Sequence, residues 1–258
     1  MKKEFNSQPT FSVIGAGRFG GFWGKHLSKF VPVKFYDADI SRKPDVAQTG
    51  KWASLDKCLQ ADVIFLTIPI REIAGFLKEN AEKFRPGVTV IDCASVKIAV
   101  EAWFRDHLPE NVHYVASHPL FGPDSGAEGI AGQTITLCPG RIPFRKYRYL
   151  VDLFYKMQLQ VISMTPEEHD KLMAYNLSLI HHLGRTFHYM QIDKLSLVMA
   201  NLDKMNWISR VASNDSMELF QDFYRYNPFA EVVRDNFLSN FHKISSMIYD
   251  RDTYLKLF

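Results

Sequence analysis

Phe11-Ser-Val-Ile14-Gly15-Ala-Gly17-Arg18-Phe19-Gly20 is a short apolar run that breaks into a glycine turn and leads into a helical pattern. A Gly-x-Gly-x-x-Gly spacing is weak evidence alone, because glycine turns are common. Here a strand precedes it and an amphipathic segment follows. Gly15 permits a tight turn, Gly17 lets the backbone approach a pyrophosphate, and Gly20 with Gly24 lets the helix pack close to a sheet. The N-terminus of that helix offers unpaired N–H groups to phosphate oxygens. We therefore expect a bound dinucleotide, cradled by Gly15, Gly17, Arg18, Phe19 and Gly20.

Outward from this turn, short apolar runs alternate with helical patterns. Residues 11–14, 31–36, 63–68, 88–91, 112–116, 134–137 and 159–163 read as strands, and 19–30, 70–84, 98–107 and 150–157 as helices or crossovers. Val63-Ile-Phe-Leu-Thr-Ile68 is almost continuously apolar, as a strand covered on both faces must be. The alternation predicts a doubly wound, mostly parallel sheet of Rossmann type over residues 1–164. Then the pattern changes. Thr165-Pro166-Glu167-Glu168 is a helix start, with Thr165 as N-cap, Pro166 in the first turn and Glu168 as reciprocal cap. Leu172, Tyr175, Leu179 and Leu183 follow at helical spacing, and residues 165–258 read as an all-helical domain. That domain is rich in large apolar groups, including Met190, Met199, Trp207, Phe220, Phe241 and Tyr249. So many in so small a domain predict a subunit interface.

Composition narrows the function classes. The chain has 258 residues, 47% hydrophobic and 23% charged, with 31 basic against 28 acidic side chains for a net charge of +3. This is ordinary globular composition, too balanced for a nucleic-acid binder. The basic run at 141–148 reads as a solvated loop face. Cys58, Cys93 and Cys138 are odd in number and widely spaced, which argues against a disulfide framework and a zinc site. Met1-Lys-Lys3 opens like a leader, but Glu4, Asn6 and Gln8 stand where its apolar run belongs. With no apolar stretch near the roughly 20 residues of a membrane span, we expect a cytoplasmic protein.

The second strand ends Phe35-Tyr36-Asp37, 17 residues after Gly20. An acid there accepts ribose hydroxyls and repels a 2′-phosphate, selecting NAD over NADP. Asp37 is the choice and Asp39 the alternative; Arg42 and Lys43 lie close enough to leave NADP open. Thr67-Ile-Pro69 ends the next strand, placing Thr67 and Pro69 over the dinucleotide or in a plain turn.

Two further strands run into Asp92-Cys-Ala-Ser95-Val-Lys97 and Ser117-His118-Pro119. Strand carboxyl ends are where such sheets bind ligands, so His118 sits where a base can take a hydroxyl proton as hydride leaves the same carbon. Activity should then fall with pH through a histidine-like pKa. Ser95 is expected to hold the imidazole, and Lys97 to pair with a carboxylate or a cofactor phosphate.

Asp92-Cys-Ala-Ser-Val-Lys97 and His118-Pro-Leu-Phe-Gly-Pro-Asp-Ser-Gly126 resemble the signature segments of the prephenate/arogenate dehydrogenases of tyrosine biosynthesis. The likeness is strongest to the dehydrogenase half of the enterobacterial chorismate mutase–prephenate dehydrogenase. It spans nearly the whole chain, including the Gly15–Gly20 turn and Glu168-His169-Asp170. It implies His118 as the proton acceptor, Ser95 as the serine that orients it, and Lys97 as an active-site lysine. It also implies His181 (or His182, if the register slips by one) beside the substrate and Arg210 on the substrate's side-chain carboxylate. The stretch between His181 and Arg210 is several residues shorter than in the enterobacterial relatives, which loosens the Arg210 match. The resemblance further implies a homodimer built on the helical domain, and no metal. We expect neither a mutase helix bundle nor a C-terminal regulatory domain, hence no tyrosine feedback through one. The expected reaction is NAD-dependent oxidative decarboxylation of prephenate, with arogenate as the close alternative. More distant rivals are a β-hydroxyacid or imine reductase and a non-catalytic NAD-binding sensor.

Overall fold

The computed structural model describes residues 9–46 and 49–248. The leader-like opening at residues 1–8 and Tyr249 lie outside the described residues. The described residues form two compact units that divide between His169 and Asp170.

The first unit is an eight-stranded sheet: β1 (Phe11–Ile14), β2 (Val33–Tyr36), β3 (Lys51–Trp52), β4 (Val63–Leu66), β5 (Thr89–Asp92), β6 (His113–Pro119), β7 (Thr134–Pro139) and β8 (Gln160–Ser163). Their order is β3-β2-β1-β4-β5-β6-β7-β8, and every neighbouring pair is parallel except β6–β7. The crossovers are α1 (Arg18–Leu27), α2 (Lys43–Val46), α3 (Leu55–Leu59), α4 (Ile70–Asn80) and α5 (Ile98–His107), with α6 (Phe144–Lys156) leading into β8. Helices on both faces explain why β1, β4 and β5 are buried at every residue. This is the expected Rossmann-type, doubly wound sheet. Trp23, Phe11, Phe35, Phe65 and Phe154 are the largest fully buried apolar side chains of its main core.

Three details depart from the sequence reading. β3 has only two residues, too few for a periodic signal. α6 begins at Phe144 rather than at residue 150. Arg145 and Arg148 of the basic run at its start are exposed as expected, but Arg141 and Lys146 are not merely solvated. Arg141 donates to the carbonyls of Val112, Leu108 and Pro109 at 3.0, 2.9 and 2.7 Å, and Lys146 donates to Gly87 O. Loop carbonyls with no ladder partner need donors, and these two cations supply them.

After β8 the described residues are helical only: α7 (Pro166–Met173), a π-helical segment (Ala174–Leu179), α8 (Ile180–Tyr189), α9 (Ala200–Asn214), α10 (Met217–Tyr226) and α11 (Ala230–Met247), with one 3₁₀ turn (Ile192–Lys194). The reciprocal cap forms as expected, with Thr165 N to Glu168 Oε2 at 2.8 Å and Glu168 N to Thr165 Oγ1 at 3.2 Å. The apolar stripe is another matter. Leu172 and Tyr175 are exposed, while Met173, Ala174, Ser178, His181 and Gly184 form the buried side. The π segment adds about one residue to a turn and so shifts the face that the following residues present. α8 and α9 pack closely at Gly184, where a Cβ would lie 2.6 Å from Ala212 Cβ. Among the described residues no helix is long and apolar enough to cross a membrane.

Candidate active site

From β1 the chain moves outward through β2 and β3, then returns to the other side of β1 as β4. A crevice opens outside the carboxyl ends of strands at such a reversal. Gly15 leaves β1 with φ +100°, and a Cβ there would stand 2.7 Å from the Thr67 carbonyl oxygen. A Cβ on Gly20 would come within 1.8 Å of Gly15 O, so α1 seats directly on the turn. At Gly17 a Cβ would meet nothing within 4 Å, and the backbone faces open space. Gly17 is the N-cap of α1, offers no side-chain acceptor, and no acid occupies the first turn. The first N–H groups and the positive end of the helix dipole are thus left to an anion.

Thr67 pins this turn by donating its hydroxyl to Gly15 O at 2.6 Å. The resulting cleft, of about 630 Å³, is lined by Gly15, Gly17, Asp37, Thr67, Pro69 and Phe76 among others. Asp37 Oδ2 accepts from Ala16 N at 2.6 Å and Oδ1 from Asp39 N at 2.9 Å, so the acid also braces the glycine turn. Asp39 instead caps the next turn through Ser41 N at 3.0 Å and stands 3.6 Å from Arg42. Arg18 and Phe19, both expected at the dinucleotide, open α1 and carry its first N–H groups, while their side chains turn elsewhere. Arg18 lies 2.5 Å from Asp124, and Phe19 stacks on Trp23 with centroids 6.3 Å apart. The arrangement suits a dinucleotide pyrophosphate over Gly17, with its ribose toward Asp37.

The reacting end lies along the same carboxyl edge, at β5 and β6. β6 runs on through Pro119, so His118 sits inside the strand, opposite Thr136 of β7, rather than just after it. Its imidazole is 8% exposed. His118 Nδ1 lies 2.9 Å from His169 Nε2, and the rings meet edge to face. The partner of His118 is therefore His169, not Ser95; Ser95 is half-buried on the loop after β5. The resemblance includes His169 within Glu168-His169-Asp170, but nothing in the sequence ties it to His118.

Lys97 pairs with a carboxylate, the first of the two partners expected for it, but that carboxylate belongs to the protein itself. Its side chain is 0% exposed and its ammonium lies on Asp92 Oδ2 and Ser117 O. Asp92 further accepts from Ser117 N at 2.9 Å and Ala94 N at 2.8 Å. The cation thus pairs with the protein's own carboxylate, knotting β5 to β6 behind His118, because a buried carboxylate needs a counter-charge. Burial pushes the Asp92 carboxyl up, opposed by the Lys97 ammonium. Opposite charges five residues apart at a strand end were the available sign of this pair. Burial, then His169, then Lys97 hold His118 well below the usual histidine pKa. Burial and Lys97 bring His169 down to about 3. Both rings are neutral at physiological pH.

In the second unit, His181 on α8 is buried, edge-on to Phe223 at 5.1 Å. Its Nε2 is 3.6 Å from Asp215 Oδ2, and its Nδ1 has no hydrogen-bond partner among the described residues. Burial and the Arg185 charge bring it down to about 4. His182 is half-buried, its ring 6.1 Å from Tyr224. Arg210 is exposed on α9. The neighbouring cations are committed: Arg185 to the carbonyls of Asp215 and Ser216 at 2.7 and 3.1 Å, Arg234 to Asp235 at 2.8 Å.

Residues 37–162 match the family model described as prephenate dehydrogenase, nucleotide-binding domain. Arogenate dehydrogenase 1, chloroplastic, of Arabidopsis thaliana is 23% identical over 97% of this chain and 42% of that protein. The probable arogenate/prephenate dehydrogenase of Methanocaldococcus jannaschii is 24% identical over 94% of this chain and 52% of that protein. The chain thus spans about half the length of these two relatives. The crystal structure of prephenate dehydrogenase from A. aeolicus in complex with hydroxyphenyl propionate and NAD+ superimposes with a TM-score of 0.77. It is 17% identical, with 96% of this chain and 93% of that one covered, and shares the fold. A model that matches residues 37–162 and relatives of one kind along nearly the whole chain agree: the chain is similar to the prephenate/arogenate dehydrogenases.

Proposed function

We propose that this chain oxidatively decarboxylates prephenate to 4-hydroxyphenylpyruvate with NAD as oxidant. The observation that carries the reading is His118, a neutral imidazole at the carboxyl edge of the sheet. Its Nδ1 is engaged by His169, and among the described residues nothing engages its Nε2. NAD supplies the hydride acceptor when bound. His118 Nε2 takes the ring-hydroxyl proton as hydride leaves the same carbon, giving a dienone. The carbon–carboxylate bond then breaks, carbon dioxide departs, and the electron pair aromatises the ring. The oxygen, now phenolic, recovers the proton from His118. A weak base suffices here, because hydride loss turns the hydroxyl into a protonated carbonyl, far more acidic than an imidazolium. Gly17 and the start of α1 hold the pyrophosphate, and Asp37 receives the ribose.

Arogenate is the second reading, favoured by the name of the Arabidopsis relative. It differs from prephenate in bearing an amino acid side chain in place of the keto acid. Steady-state kinetics with both substrates and both cofactors, read as reduced nicotinamide absorbance, decide the matter. Turnover of neither substrate would sink the proposal.

Two variants test the binding roles. Asp37→Ser should narrow the gap between NAD and NADP in kcat/KM, partly by weakening NAD, since the carboxylate also braces Ala16 N. An unmoved ratio means that Asp37 does not meet the ribose. Arg210→Ala should raise KM for the substrate by about ten- to a hundredfold, as expected for loss of a charged hydrogen-bonding partner. KM for NAD should hardly change. A normal substrate KM removes Arg210 from the site.

We also propose a homodimer through the helical unit. Leu172, Tyr175, Tyr189, Leu197, Met199, Trp207 and Phe241 are exposed large apolar groups of that unit, which a second copy would cover. Light scattering should report twice the chain mass; the mass of one chain refutes it.

A further inference from the structure

The contact between His118 and His169 has two chemical forms, since each ring nitrogen is either a donor or an acceptor. In one form His169 donates Nε2–H to His118 Nδ1, which places the His118 proton on Nε2 and leaves no base. In the other, His118 donates Nδ1–H to His169 and its Nε2 lone pair is free.

We infer that His169 is a positioning residue whose Nε2 accepts the His118 Nδ1–H, holding His118 in the tautomer that can act as base. The geometry supports the contact at several points, and the base role selects its direction. His169 is fully buried, so no water competes for the contact. The 2.9 Å separation is a good hydrogen bond in a site of low dielectric. The backbone on both sides is fixed. His118 O accepts from Thr136 Oγ1 at 3.2 Å, and His169 N donates to Thr165 O at 3.0 Å, next to the reciprocal cap. Serine-protease triads give the acceptor role to a carboxylate, which also stabilises the imidazolium. A neutral imidazole keeps the orientation and omits most of that charge stabilisation. With Lys97 behind both rings, His118 stays neutral until the hydride begins to move.

The direction of this hydrogen bond rests on the dehydrogenase reading, since the contact by itself fits either form, but the tautomer can be measured without turnover. The first measurement is therefore the side-chain ¹⁵N spectrum of the full-length protein labelled at histidine, with His118 assigned through loss of its signals in His118→Asn. Wild-type His118 should carry its proton on Nδ1. His169→Leu removes the acceptor and should shift His118 toward the Nε2–H form. His169→Gln places an amide oxygen close to the old Nε2 position and should keep Nδ1–H. Finding Nε2–H in the wild type overturns the inference, even if His169→Leu fails to fold. An unchanged tautomer in folded His169→Leu overturns it too.

Kinetics give the second arm. His169→Leu should lose roughly a hundredfold in kcat at nearly constant substrate KM, less than the ~10⁴ that a wrong tautomer costs a triad. His169→Gln should recover most of that loss, which a merely structural role would not produce. If the wild type oxidises neither prephenate nor arogenate, the dehydrogenase reading fails while the tautomer result still stands or falls alone.

Discussion

His118→Asn is expected to lose kcat by about a hundred- to ten-thousand-fold, the usual contribution of a general base. Asparagine keeps a polar group of similar reach but takes no proton near neutral pH. Nucleotide binding should survive, because Gly15, Gly17 and Asp37 line a cleft that His118 does not touch. The wild-type pH profile carries the second half of the result. The base works only when neutral, so kcat falls as pH drops through its folded pKa. Burial, His169 and Lys97 hold that pKa well below 6.5. The acidic limb should therefore lie clearly below pH 6.5, lower than an ordinary histidine in sequence would suggest, and it should vanish in the variant. Near-normal turnover in His118→Asn, or an acidic limb that persists in it, moves the base elsewhere.

Lys97→Met should be the most destabilising single change in the sheet unit. It leaves the Asp92 carboxylate at 0% exposure without its cation. Removing one partner of a buried ion pair typically costs about 3–5 kcal/mol. For a unit of this size that corresponds to roughly 6–20 °C in melting temperature. Lys97→Met with Asp92→Asn should recover part of the loss, since the amide oxygen still receives Ser117 N while the orphan charge is gone. Thermal unfolding followed by circular dichroism checks both. An unchanged melting temperature in Lys97→Met would mean that the pair does not join β5 to β6. A fully stable but inactive Lys97→Met would return the lysine to the substrate.

The features legible in the chain are those whose cause lies within a few residues. The glycine turn announces itself, since Gly15 needs a positive φ and Gly20 needs the space that a Cβ would take from Gly15 O. The Thr165/Glu168 cap spans three residues and forms as read. Apolar runs such as β1 and β4 say that they are covered on both faces, and their alternation with helices implies a parallel sheet. Short or edge elements were harder, because β3 has two residues and no period.

Within the site, the division runs between which residues are present and what each one touches. His118, Ser95 and Lys97 are singled out by their place near strand ends, and a carboxylate is among the expected partners of Lys97, but neither Asp92 nor His169 is named as a partner by position. Lys97 meets Asp92 and Ser117, and His118 meets His169 across 51 positions of sequence. Partners so distant leave no periodic or compositional trace; they are chosen when β5, β6 and the first turn of α7 are brought together. The same holds for the helical unit, where the sequence spelled out a helix through Leu172 and Tyr175 but not which side it buries. The sequence alone thus determined the sheet, the nucleotide turn and the candidate base, since local sterics and hydrophobic period dictate them. Only the tertiary structure decided that Lys97 is a buried counter-ion and that His169 lies against the His118 imidazole, because burial and long-range pairing, not residue type, choose the partners of each group.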